Sequence, residues 1–149
     1  MVIAVFGESC TGKSTLADSL KQRLGAKVYT GKDFLRLDKS EDRAKAAFAA
    51  LLSQAAQGEE DIIYVISERE HLALLPEGCL RVLVTAPLEE ICRRFAQRTG
   101  GTLPPPVRAM LERKHGCFDA EPCDVHVSSG EASVEASCAE ILALCGGRV

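Results

Sequence analysis

"VIAVFGESCTGKSTLADSL", residues 2–20, joins an apolar run, a glycine loop and a helical pattern end to end. Its middle residues, Gly7-Glu8-Ser9-Cys10-Thr11-Gly12-Lys13-Ser14, fit G-x-x-x-x-G-K-[ST] at every fixed position. Each fixed position has a physical reason. The glycines let the backbone turn tightly and present its N–H groups inward. The helix that follows brings its positive end to the same point. Such a concavity takes a phosphate chain, with Lys13 reaching the β- and γ-phosphates, Ser14 giving its hydroxyl to Mg²⁺ and Thr15 near the α-phosphate. Glu8, Ser9, Cys10 and Thr11 would contribute backbone. The loop therefore predicts a nucleotide site spanning Gly7, Glu8, Ser9, Cys10, Thr11, Gly12, Lys13, Ser14 and Thr15, with ATP and Mg²⁺ as cofactors.

Working outward, Val2-Ile3-Ala4-Val5-Phe6 reads as a strand buried on both faces. Thr15 to Leu24 reads as a helix with Leu16, Leu20 and Leu24 on one stripe, stopped by Gly25. A short strand at Lys27–Thr30 leads into a largely helical stretch, Asp33 to Gln57, with Phe34, Leu37, Ala44, Phe48, Leu51 and Ala55 at helical spacing. The polar "DKSED" at 38–42 would split it, with Ser40 capping the second half. Strands follow at 61–67, 80–86 and 124–129. Helices are expected from Pro87, over 107–116, and over 133–147, where a glycine pair stops the last. Strands alternating with helices predict a parallel sheet covered on both faces.

At 149 residues with net charge −3, 46% hydrophobic and 26% charged residues, the chain is expected to be one domain, 1–149. That charge offers no general attraction for nucleic acid or an anionic membrane, so attraction for phosphate must be local. No run is long enough to span a bilayer and no signal-peptide pattern precedes the loop, so a cytoplasmic location is expected. The seven cysteines include no CxxC pair and are expected to be reduced thiols. His115, Cys117, Cys123 and His126 crowd together, but H-x-C-x5-C-x2-H matches no usual structural-zinc spacing.

The N-K-x-D and D-x-x-G elements of GTPases are missing, as is the L-S-G-G-Q of transport ATPases. The third strand ends in "VISERE" rather than in an aspartate. Glu68 or Glu70 would there hold a magnesium-bound water, and Arg69 would face a substrate phosphate or carboxylate. The chain resembles the small P-loop kinases of the nucleoside-monophosphate and shikimate kinase group, with "GxxxxGKST" as the specific motif. "YTGKDFLRL", "SERE" and "LVTAPLEEICRRFAQR" are looser matches, and together they are most similar to cytidylate-kinase-like proteins.

That resemblance implies a P-loop NTPase α/β/α sandwich with a five-stranded parallel sheet in order 2-3-1-4-5. It implies transfer of the γ-phosphate of ATP to a small acceptor, a nucleoside monophosphate first. A non-nucleotide metabolite, or nucleotide binding without strong catalysis, are the alternatives. It gives Asp33 the acceptor hydroxyl, with Arg36 and Arg69 as further acceptor-binding residues. It makes Arg94 and Arg98 lid arginines closing on the moving phosphoryl group, within a short lid region around 93–116, and "TGGTLPPP" suits its hinge.

Overall fold

Alternating side chains on the strands settle the layers. In the computed structural model, β1 (Val2–Phe6) and β3 (Ile62–Ile66) are buried at every position. With β2 (Lys27–Thr30), β4 (Leu80–Thr85) and β5 (Val125–Ser128) they form one parallel sheet in the order β2-β3-β1-β4-β5. The structure describes residues 1–58, 60–131 and 133–146. The Gly147 stop expected for the last helix lies outside the described residues.

One set of strand residues (Ile3, Val5, Ile63, Val65, Val82, Val84) packs beneath α1 (Lys13–Leu24) and α5 (Val134–Gly146). Leu16 and Leu20 of α1, with Cys138 and Ile141 of α5, supply the facing side chains. The alternate set (Val2, Phe6, Ile62, Tyr64, Ile66) packs beneath α2 (Glu41–Gln57) through Ala44, Phe48, Leu52 and Ala55. Burying both faces is what a parallel sheet with crossover helices requires. Leu52, not the expected Leu51, is the buried member of that stripe.

The expected helix over 33–57 is indeed split. A 3-10 turn covers Asp33–Leu37, and α2 starts after Ser40, whose Oγ accepts from the Arg43 amide at 3.4 Å. A second 3-10 turn, Arg69–Leu74, was not foreseen. α3 (Leu88–Arg98) and α4 (Pro105–Lys114) pack on each other across the 99–104 connection. α4 begins at Pro105, two residues before the expected Val107, because proline is tolerated in a first turn, where its missing N–H has no partner to lose.

Candidate functional site

The loop between β1 and α1 is held by constraints that few residues satisfy. A Cβ on Gly7 would lie 2.1 Å from the Val84 carbonyl oxygen of β4, so only glycine fits. Gly12 has φ +98°, the left-handed region that favours glycine. Cys10 adopts φ 65° without being glycine, which costs roughly 1–2 kcal/mol. Its side chain is buried with Ala86, Ile91, Cys92 and Leu111, so α3 and α4 are seated on the loop through this cysteine. Cys10 thus supplies packing as well as backbone, which corrects the expectation of backbone alone.

Lys13 is the centre of the loop. It is only 5% exposed, and its Nζ donates a short hydrogen bond to the Glu8 carbonyl oxygen. Burial, helped by the charge of Arg98, lowers its pKa to about 8. Thr11 Oγ1 donates to the same carbonyl at 2.9 Å. Ser14 and Thr15, at the start of α1, are exposed. The Glu8 side chain faces away from these bonds. One of its oxygens lies 3.1 Å from His115 Nδ1, and the other accepts from the Gly116 amide at 3.1 Å.

Among the spaces that border this loop, two lie over its glycine–lysine end. A cleft of about 460 Å³ lies over Thr11, Gly12, Thr15 and Leu16, walled by Val84, Val127, Arg94, Arg98 and Ser129. On the β2–β3 side, a smaller cavity of about 90 Å³ is lined by Lys13, Ser14, Thr30, Ser67 and Arg98. Arg98 borders both. Arg94 is fixed rather than swinging: it donates to Cys10 O at 3.1 Å, to Ser129 Oγ at 2.8 Å and to Glu90 at 3.1 Å. Arg93 instead pairs with Glu90 at the surface.

Asp33 sits just past β2. Its Oδ2 accepts from the Thr30 amide at 2.9 Å, and its other oxygen is 3.9 Å from Arg36, which is 86% exposed. Tyr64 donates to the Gly31 carbonyl at 2.7 Å. Burial first, then the nearby Asp33 and Glu68 charges, raise its phenol pKa far above the usual value, so it stays a neutral donor. Glu68 and Glu70 are both exposed. A hydrogen bond shared with Glu70 keeps the Glu68 carboxyl below its ordinary pKa, assisted by His71 and by the charges of Lys32 and Lys114. Arg69 is engaged elsewhere: Nη2 and Nε donate to Glu121 Oε1 at 3.2 and 3.3 Å. Of the residues expected to bind the acceptor, Asp33 and Arg36 stand together past β2, while Arg69 turns to the loop before β5.

The residues considered for zinc are dispersed among these contacts. His115 meets Glu8, His126 meets Thr85 Oγ1 at 2.7 Å, and Cys117 and Cys123 are free thiols. Among the described residues, the one group of metal-ligating side chains close enough to share an ion is Glu68, Glu70 and His71. No described helix is long and apolar enough to cross a membrane.

The sheet order, the glycine loop opening α1 and the buried lysine define the class: the chain has the fold of the small P-loop kinases. Solved structures agree across nearly the whole chain. A gluconokinase from Sinorhizobium meliloti is 18% identical with a TM-score of 0.65, over 99% of this chain and 96% of that one. A shikimate kinase from Acinetobacter baumannii, in complex with shikimate, is 14% identical with a TM-score of 0.66, over 99% and 93%. A sugar kinase from Janibacter is 18% identical with a TM-score of 0.63, over 95% and 92%. No protein-family model matches the chain, and no curated protein matches its sequence.

Proposed function

We propose that the chain transfers the γ-phosphoryl group of ATP to a hydroxyl of a small non-nucleotide metabolite, a polyol or sugar acid. The observation that carries this reading is the small cavity beside Lys13. It joins the phosphate loop (Ser9, Cys10, Gly12, Lys13, Ser14) to Thr30 and Ser67 at the ends of β2 and β3. Thr30 is the residue whose amide fixes Asp33. Donor and acceptor sides thus meet at one point, as in-line transfer needs.

In this reading the loop N–H groups and Lys13 hold the phosphates, and the larger cleft receives the rest of the nucleotide. The exposed Ser14 hydroxyl, beside Lys13 in the same cavity, suits Mg²⁺, an oxygen-seeking ion that would neutralise phosphate charge. Arg98 borders both spaces and would stabilise charge on the moving group. Arg94, tied to the loop at Cys10, would hold the cleft wall in register. Asp33 would orient the acceptor hydroxyl and take its proton.

The nucleoside-monophosphate reading has less support. It needs unpaired cations for a phosphate dianion, yet Arg69 is bound to Glu121 and Arg36 stands mostly in solvent. A hydroxyl-rich acceptor instead suits the Asp33 carboxylate, which is held by the amide of Thr30 at the edge of the cavity beside Lys13. The named neighbours with this fold, a gluconokinase, a shikimate kinase and a sugar kinase, lend the same direction.

The test is ADP release from ATP and Mg²⁺ across two panels, one of polyols and sugar acids, the other of CMP, dCMP, UMP and AMP. Acceptor-dependent release in the first panel alone is expected. Release only with monophosphates would return the acceptor to a nucleotide, and release with neither would leave a nucleotide-binding module.

A further inference from the structure

We infer that Tyr64 is a positioning residue: its hydroxyl, through Gly31, sets where Asp33 stands relative to the phosphate loop. The inference rests on the reading of Asp33 as the group that orients the acceptor hydroxyl. Tyr64 Oη donates to the Gly31 carbonyl at 2.7 Å. The Gly31 amide donates to the Val65 carbonyl at 2.9 Å. Both backbone polar groups of this glycine are therefore fastened to neighbouring residues of β3.

Asp33 follows two residues later, and its Oδ2 reaches back to the Thr30 amide at 2.9 Å. The chain turns at Gly31, where φ is +53°. Among the described residues, no atom beyond its chain neighbours lies within 4 Å of the place a Cβ would take there. Side-chain packing gives the turn no support at this residue, so the two bonds to β3 fix it.

The same strand holds the other reacting partner. The Ile66 carbonyl, next along β3, accepts from the amide of Gly7, where the phosphate loop opens, at 3.1 Å. Tyr64, Val65 and Ile66 thus hold the acceptor turn and the phosphate loop in succession. The cavity beside Lys13 has Thr30, Val65 and Ser67 in its wall. Reacting atoms must be held about 3–3.5 Å apart and in line, so a small pivot of the Asp33 turn is costly.

Tyr64 presents its hydroxyl from a fixed ring. The residue is buried, and the ring meets Phe48 edge-on at 4.8 Å between centroids. Burial, and then the charge of Asp33, keep the phenol protonated, so the donor is present at any working pH. Phe34, next to Asp33, stacks on the same Phe48 at 5.8 Å. Tyr64→Phe leaves that aromatic core in place and removes only the bond to Gly31.

The test is a double-mutant cycle of Y64F and D33N in the full chain, with turnover measured on ATP and the polyol and sugar-acid panel. Y64F should lower kcat about tenfold and leave the KM for ATP within about twofold. In the D33N background the same change should alter kcat by less than about twofold, because a residue acting through Asp33 has nothing left to act on. In the nucleotide-free protein, Y64F should speed hydrogen exchange of the Thr30 amide about tenfold and leave that of Gly7 unchanged. A kcat loss that repeats in full in the D33N background would overturn the inference alone. So would unchanged exchange at Thr30, or full activity of Y64F beside an impaired D33N. Full activity of D33N, or no acceptor turnover in the parent, would overturn the reading of Asp33 and this inference with it.

Discussion

The Glu8 carboxylate holds the Gly116 amide and His115 Nδ1, each at 3.1 Å, and so ties the phosphate loop to the segment just after α4. Glu8 is 9% exposed, and its own carbonyl accepts from Lys13 and Thr11. One residue therefore links the loop, its lysine and the chain leaving the α3–α4 pair. Glu8→Ala leaves the Gly116 amide without its acceptor. A loss of about 1–3 kcal/mol is expected, which for a chain of this size lowers the melting temperature by roughly 2–4 °C per kcal/mol. Glu8→Gln, which keeps an acceptor oxygen, should lose less. Calorimetry on the three proteins decides this.

Gly7→Ala tests the closest approach in the fold. The added Cβ would meet the Val84 carbonyl at 2.1 Å, and that oxygen belongs to a central strand with no freedom to retreat. A destabilisation of at least about 1–3 kcal/mol is expected, together with loss of ATP binding, because the loop must move to relieve the clash. Chemical denaturation and a fluorescent-nucleotide titration measure the two effects.

Lys13 gives a pH dependence whose sign follows from its lowered pKa, about 8 in the folded chain against 10.5 for the free side chain. Between those values the unfolded chain holds a proton that the folded chain has released. Stability of the nucleotide-free protein should therefore rise, from this group, as pH climbs from about 8 toward 10.5. Below about pH 8 the lysine is charged in both states, and the full burial penalty stands. Lys13→Met removes it, so at pH 7 the variant should be more stable than the parent by about 1–3 kcal/mol while losing nucleotide affinity. ATP binding runs the other way: phosphates need the charged lysine, so affinity should fall above about pH 8 in the parent and not in the variant.

These contacts also mark what the sequence could and could not disclose. The buried β1 run and the glycine spacing announced the strand, loop and α1 without ambiguity, because both patterns are local. The helix break at Ser40 was legible for the same reason. Strand order was available only through the family resemblance, since periodicity does not say which strand lies next to which. The 3-10 turn at Arg69–Leu74 was too short to show a period. Glu8 to Gly116 and Arg69 to Glu121 join residues 108 and 52 positions apart, and no spacing rule reports such pairs. Cys10 fits the motif as any residue would, so neither its left-handed backbone nor its seat under α3 was visible.

Asp33→Asn separates binding from transfer. The amide keeps the size of the side chain and an oxygen for the Thr30 N–H, but not a proton acceptor or a full charge. ATP affinity should change less than about twofold, and acceptor-dependent turnover should fall by about 10²–10⁴. Isothermal titration with ATP, set beside steady-state rates, gives both numbers. Equal turnover in the two proteins would remove Asp33 from the reaction.

Arg94→Lys keeps the charge and loses the fork that reaches Cys10 O, Ser129 Oγ and Glu90 together. A larger effect on the KM for ATP than on kcat is expected, because Arg94 walls the cleft that receives the rest of the nucleotide. Arg98→Ala, which removes the charged side chain bordering both spaces, should lower kcat by about 10²-fold or more. Full kinetic curves for both variants distinguish them.

The central claim is that this loop gives its phosphoryl group to a hydroxyl on a small non-nucleotide molecule. The most direct measurement is mass spectrometry of the acceptor pool after incubation with ATP carrying ¹⁸O in its γ-phosphate, using the parent chain and Lys13→Met in parallel. A labelled phosphate ester of a polyol or sugar acid, formed by the parent and absent with Lys13→Met, is the predicted result. Label appearing only in inorganic phosphate or in a nucleoside diphosphate, or an equal yield of ester from Lys13→Met, would contradict the account.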